Sequence, residues 1–239
     1  MAMSGAAETV NIAANVARIR ERIARAAARA GRNPDEIRLV AAAKTVAAAR
    51  VAEAVAAGVA DIGENYVQEA AAKYEQVGKS ARWHLIGHLQ RNKAASAARI
   101  FDIIQTVDSP RLAEAIATRA QALGRTIDVL LQVNTSGEDA KSGVAPDELG
   151  GLFEAVAPLA GIRVQGLMTI GAMHAEPEAG RPEFRLLVEL AAKLEQLGAE
   201  MKWLSMGMSH DFEVALEEGA NLVRIGTGVF GPRPSAARW

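Results

Sequence analysis

The sequence contains no cysteine. Disulfides, thiolate nucleophiles and cysteine-ligated metals are therefore excluded, and nothing indicates an oxidising compartment. It also lacks a charge excess: 27 basic residues face 28 acidic ones, for a formal net charge of −1. No basic balance draws nucleic acid, and no block of like charge reads as a tail. No apolar run reaches the roughly 20 residues that a membrane-crossing helix needs. The opening segment, Met1 to Val10, contains Glu8 and has no basic region leading into an apolar stretch, so it does not read as a secretory signal. Linkers, low-complexity tracts and repeats are missing. So are the H-E-x-x-H helix of a zinc protease, the Walker A loop and the G-x-S-x-G elbow. His84 and His88 are four apart, but in a strand followed by a glycine turn. His174 and His210 fall in loops and are expected in solvent. These absences leave the expectation of a soluble cytoplasmic protein, one domain over residues 1–239, with no nucleic-acid, membrane or metal partner.

Half of the 239 residues are apolar, enough for one large core. Residues 9 to 30 place Val10, Ile12, Val16, Ile19 and Ile23 among arginines and alanines at helical spacing. Gly31 and Asn33-Pro34 end that helix. Beyond it, short apolar runs rich in β-branched residues alternate with longer alanine-rich helical stretches. The strand candidates are Ile37–Ala43, Val59–Ile62, Trp83–Ile86, Phe101–Gln105, Ile127–Val133, Ile162–Met168, Trp203–Ser205 and Leu222–Ile225. Helices are expected near 46–57, 65–77, 89–98, 109–123, 146–158, 183–197 and 211–219. Gly180-Arg181-Pro182 reads as loop before a helix. The alternation predicts an α/β fold with a parallel sheet: a TIM-type (β/α)8 barrel with an extra N-terminal helix, or else an open doubly wound sheet.

In such a barrel, chemistry sits on the loops after the strands. Lys44 ends the run Leu39-Val40-Ala41-Ala42-Ala43. It is either an ordinary strand-end lysine whose amine reaches solvent, or a pocket amine ready to attack a carbonyl. Later loops carry Gly63-Glu64-Asn65-Tyr66, Gly87-His88, Asn134-Thr135-Ser136, Thr169-Ile170 and Met206-Gly207-Met208-Ser209. Gly226, Gly228 and Gly231 spell G-x-G-x-x-G after the last strand, without the helix, strand and acidic residue of a dinucleotide fold. Together with the Gly207-Met208-Ser209 loop they suit a phosphate, although a plain glycine turn fits equally. Arg224 lies between Val223 and Ile225 in a core strand. Its charge needs water, a carboxylate such as Asp61 or Glu64, or a flat ligand atom such as a pyridine nitrogen.

These segments, taken in order, resemble the YggS/PROSC family of pyridoxal 5′-phosphate homeostasis proteins, whose barrel is like the N-terminal domain of alanine racemase. The likeness runs from Leu39–Thr45 through Ile62–Glu69, Trp83–Gln90, Asn92-Lys93, Lys141-Ser142-Gly143, Gly166–Ile170 and Leu204–Ser209 to Val223–Gly231. It implies pyridoxal phosphate held on Lys44 as a Schiff base and Asn65 beside its ring or hydroxyl. It places the phosphate on Ser209 and on the backbone of Met208, Gly226 and Thr227, and Arg224 at the pyridine nitrogen. A guanidinium there leaves the ring unprotonated and a poorer electron sink. The chain departs from the family pattern on the flanks, with Ala43 for a serine, Val46-Ala47 for Lys-Pro, and Arg91 for a serine.

The resemblance implies a non-enzymatic carrier of the cofactor, monomeric, with apo enzymes that use pyridoxal phosphate as partners. The alternative is an amino-acid racemase, which needs a base on each face of the substrate carbon. The sequence has two tyrosines, Tyr66 and Tyr74, of which Tyr66 alone follows a strand. A sugar-phosphate enzyme would use the same loops but give Lys44 and Arg224 no joint purpose.

Overall fold

The structure, a computed structural model, describes residues 10–232. Most of the opening segment read above as unlike a secretory signal, residues 1–9, lies outside the described residues, as do 233–239. Eight parallel strands close on themselves in chain order. They are β1 (Arg38–Ala42), β2 (Asp61–Glu64), β3 (Arg82–Leu85), β4 (Ile103–Val107), β5 (Ile127–Gln132), β6 (Ile162–Met168), β7 (Trp203–Ser205) and β8 (Leu222–Ile225). Closure is made by β1 and β8, with Val40 opposite Arg224 and Ala41 opposite Ile225. Each strand is followed by a helix: α2 (Ala48–Ala56), α3 (Val67–Val77), α4 (Ala94–Ile100), α5 (Pro110–Ala122), α6 (Leu149–Val156), α7 (Arg181–Gln196), α8 (Phe212–Glu217) and α9 (Thr227–Phe230). The fold is the (β/α)8 barrel and not the open sheet. No helix among the described residues is long and apolar enough to cross a membrane.

The extra helix α1 (Ile12–Arg29) precedes this repeat, and Asn11 caps it by accepting from the Ala14 N–H at 3.0 Å. Its buried stripe of Ile12, Val16, Ile19 and Ile23 repeats every three or four residues, so the helix must lay one face on the barrel. It lies against α2, α8 and α9. Each buried branched side chain contributes about 1.5–3 kcal/mol. Arg22 pairs with Glu213 at 3.0 Å, and Asn15 donates to the Val229 carbonyl at 2.9 Å. This helix thereby buttresses the loop after β8.

Two strands begin two residues later than their apolar runs suggest. Val59 and Ala60 approach β2 without joining it, whereas Gly63 and Glu64 belong to it. Phe101 and Asp102 precede β4, which instead extends to Val107. The ladder decides this: Asp61 is aligned with Val40 on one side and Arg82 on the other. Helix α7 starts at Arg181, so Arg181-Pro182 belongs to its first turn, where proline is tolerated because no N–H is required. The expected helix near 89 opens as a 3-10 turn, Arg91–Lys93, before α4.

Inside the barrel, Val40, Ile103, Leu130, Met168, Trp203 and Leu222 form a closed apolar layer. Polar side chains gather on the carboxyl side of it. Gly63 lies directly against Val40 and Ile86, where a Cβ would sit 2.8 Å from both Val40 Cγ1 and Ile86 Cδ1.

Candidate functional site

Lys44 sits in the turn after β1, half-buried. The next residue, Thr45, has φ +63° and is the one non-glycine residue with positive φ among the described residues. A β-branched side chain disfavours that conformation, so neighbours must impose it. The Thr45 N–H donates to Glu69 Oε2 at 3.0 Å, and its hydroxyl donates to the Lys44 carbonyl at 2.6 Å. On the other flank, Lys73 Nζ from α3 donates to the Ala43 carbonyl at 2.7 Å and to Glu64 Oε1 at 2.6 Å. Glu64 is fully buried between barrel and helix. Burial drives its carboxyl above the usual range, although the Lys73 hydrogen bond and charge oppose this. The backbone around Lys44 is thus clamped from α3. The Lys44 Nζ stands 5.3 Å from the centre of the Tyr66 ring, within cation–π range.

Asn65 and Tyr66 occupy the loop after β2. Gly87 packs on that loop so closely that a Cβ would lie 2.4 Å from the Asn65 carbonyl oxygen, so only glycine fits there. On the opposite flank of β1, the loops after β7 and β8 interlock. The Arg224 N–H donates to the Gly207 carbonyl at 3.0 Å, and the Gly228 N–H reaches Ser209 Oγ at 3.4 Å. Thr227 is exposed and opens α9, whose first N–H groups have no partner one turn back. Gly226 lies under β1, where a Cβ would be 3.2 Å from the Ala42 carbonyl. The Met208 N–H donates to Asp211 Oδ1 at 2.6 Å, within its own loop, while its side chain faces solvent.

Arg224 is 4% exposed and points into the barrel. It is paired with neither Asp61 nor Glu64, the two carboxylates the sequence offered. Nη2 donates to the Thr169 carbonyl at 2.7 Å and Nη1 to Ser205 Oγ at 2.5 Å. Burial lowers its pKa to about 10, against the charge of Asp211, so it remains a cation at neutral pH. A row of contacts continues beyond it. Ser205 Oγ donates to Gln105 Oε1 at 2.6 Å, the Gln105 amide lies 2.9 Å from His84 Nδ1, and His84 Nε2 lies 2.9 Å from Asp61 Oδ1. Burial alone would raise the Asp61 carboxyl, but the His84 hydrogen bond and the neighbouring Arg82 and Arg38 charges bring it below the usual range. His174 is not free in solvent as expected, since its ring lies 2.8 Å from Glu183 Oε1. His210 is exposed.

Sequence reading missed Glu69, Lys73, Gln105 and Ser205. The four-residue spacing of Glu69 and Lys73 on the helix after β2 was a usable signal for the clamp. Gln105 and Ser205 lie in core strands among apolar residues, the same signal that singled out Arg224.

A parallel barrel with one clamped lysine, one buried arginine and two interlocked loops on its carboxyl rim presents amine, guanidinium, hydroxyl and backbone N–H donors on one side. The alanine racemase N-terminal domain family matches residues 14–234. A pyridoxal phosphate homeostasis protein of Pseudomonas aeruginosa is 44% identical over 227 residues, covering 95% of this chain and 97% of that one. The structure of PipY from Synechococcus elongatus PCC7942, with PLP bound, superposes with a TM-score of 0.82 at 35% identity, covering 92% of this chain and all of that one. The alanine racemase of Clostridium difficile 630 shares the fold at 17% identity, with a TM-score of 0.73, and 57% of its chain is covered. The chain belongs to the alanine racemase N-terminal domain family and, within it, to the YggS/PROSC pyridoxal phosphate homeostasis proteins.

Proposed function

We propose that this protein binds pyridoxal 5′-phosphate through a Schiff-base linkage to Lys44 Nζ and that it stores and delivers the cofactor without catalysing a reaction of its own. The observation that carries the proposal is the clamped, strained turn that presents Lys44 on the barrel stave next to β8, whose loop interlocks with that of β7. The donor chemistry fits the group. Ser209 Oγ, Thr227 Oγ1 and the N–H groups of Gly226 and Thr227 suit a phosphate. Arg224 offers a fixed cationic donor to a ring nitrogen, and Asn65 a side-chain amide to the ring or its hydroxyl. The Met208 N–H joins them only once Asp211 releases it. Bound there, the cofactor supplies an aldehyde that condenses reversibly with amines. Purified protein should be yellow, and borohydride should fix the cofactor to the peptide containing Lys44. Protein that stays colourless and unmodified in excess cofactor would refute the proposal.

Ser209→Ala and Thr227→Val are each expected to weaken cofactor binding about tenfold to a hundredfold, since each removes one hydrogen bond to a charged group. Titration of the cofactor-free variants measures this; unchanged affinity in both would put the phosphate elsewhere.

The racemase reading asks for a second acid across the substrate carbon from Lys44. Tyr74 packs edge-on against Trp83, 5.7 Å between ring centres, away from the rim. Tyr66 stands beside the Lys44 amine. Arg224, a cation at neutral pH, gives a ring nitrogen a hydrogen bond but not its proton, which leaves a carbanion poorly stabilised. Amino acids incubated with the loaded protein in heavy water should show no exchange with inversion at the α-carbon. Rapid inversion that disappears in Tyr66→Phe would make Tyr66 the missing acid and overturn the carrier reading.

A further inference from the structure

His84, Gln105 and Asp61 are buried polar residues with no place among the groups that would touch the cofactor. Their geometry is ordered in one direction. Arg224 Nη1 can only donate, so Ser205 Oγ accepts from it and sends its own hydrogen to Gln105 Oε1, 2.6 Å away. That contact leaves the Gln105 amide nitrogen, a donor, facing His84 Nδ1 at 2.9 Å. Nδ1 then accepts, which places the ring hydrogen on Nε2, directed at Asp61 Oδ1 at 2.9 Å. Every member is spent on its neighbours, and each hydrogen bond polarises the next in the same sense. The row crosses the barrel interior from β8 through β7, β4 and β3 to β2. At its far end Asp61 is held by Arg38 at 3.5 Å and Arg82 at 3.8 Å.

We propose that Ser205, Gln105, His84 and Asp61 act as a positioning relay that fixes the Arg224 guanidinium where it can donate to the ring nitrogen of the cofactor, with Asp61 anchoring the far end of the row. The inference rests on the cofactor reading above and extends it. Arg224 forms no ion pair among the described residues. The charge of Asp211 favours the buried cation without an ion pair, and the relay holds the guanidinium by neutral acceptors, so no carboxylate need sit beside the ring nitrogen. An adjacent carboxylate would turn the guanidinium away from the ring, whereas a hydroxyl and a carbonyl leave it free to donate upward. Ser205 and the Thr169 carbonyl hold two corners of the fork, so the arginine cannot rotate out of plane.

The test compares the loaded wild-type protein with Gln105→Met, Ser205→Ala and Ser205→Thr. Gln105→Met and Ser205→Ala should release cofactor about tenfold faster and shift the visible band of the bound chromophore. Ser205→Thr keeps the hydroxyl and should restore both. A purely structural role would lower the melting temperature of the cofactor-free protein but leave band and release rate alone, and that result would overturn the relay. If Gln105→Met does not fold, the Ser205 pair decides the question by itself. A wild-type protein that takes up no cofactor would defeat the underlying reading instead, so the two failures are distinguishable.

Discussion

Lys44→Ala should yield a folded, colourless protein in which borohydride fixes no cofactor to any peptide. The loss is expected to be complete rather than partial, because the proposed attachment is a single covalent bond to one nitrogen. The fold should survive. Lys44 is half-exposed, its Nζ contact is the exposed Tyr66 ring, and the turn around it is clamped by Glu69 and Lys73 acting on backbone atoms. Peptide mass mapping after reduction reads the attachment, and thermal melting of the cofactor-free proteins reads the fold. A reduced adduct that persists in Lys44→Ala, on whatever lysine, would show that the rim lysine is not the one that holds the cofactor. Reversible, non-covalent binding through the phosphate loops should remain in the variant, weak enough for the cofactor to be lost on purification.

Lys73→Met should destabilise the protein by about 3–5 kcal/mol, the range for stripping one partner from a buried ion pair. Lys73 is 7% exposed, and its removal leaves the fully buried Glu64 carboxylate without a counter-ion and the Ala43 carbonyl without a donor. One oxygen of Glu64, Oε2, already has no hydrogen-bond partner. The pH dependence has a definite sign. Glu64 has a folded pKa raised above its unfolded value by burial, so its protonated form favours the folded state. Its contribution is therefore most favourable below the unfolded carboxyl pKa and is lost as pH rises through the folded one. Without Lys73 the rise is larger, so the penalty in Lys73→Met should grow from acid toward neutral pH. Urea unfolding at several pH values would show this, and Lys73→Met combined with Glu64→Gln should recover most of the loss. A variant as stable as wild type at neutral pH would mean that the pair contributes nothing to the turn that presents Lys44.

The two residues at the centre of these predictions were not equally legible. Lys44 stood out because it ends an apolar run, but its position fitted a solvent-reaching amine as well as a pocket amine, and the ordered family segments decided between them. Arg224 stood out because a charge that cannot be removed lies between Val223 and Ile225 in a core strand, and the glycines after β8 because their spacing made no sense as a dinucleotide loop. Lys73 was passed over in the sequence, where only its spacing from Glu69 hinted at a pair. Its burial depends on α3 lying against the end of β2, which no local pattern announces. His84 was readable as a core histidine, but its partners Asp61 and Gln105 are 23 and 21 residues away along the chain. The late starts of β2 and β4 have the same origin, since pairing with neighbouring strands outweighed the position of the apolar run.

By itself the sequence determined the alternation of strand and helix, the amphipathic helix before it and the residues on the rim. These follow from local periodicity and from the cost of burying charge, both of which act over a few residues. Only the tertiary structure decided that the sheet closes and that the loops after β7 and β8 interlock. It also decided that α3 clamps the backbone around Lys44 and that Arg224 reaches Asp61 through three intervening side chains rather than by an ion pair. Each of these depends on side chains from different strands meeting inside one closed barrel, and strand register sets those distances. Register is a property of the assembled sheet, and no single stretch of sequence contains it.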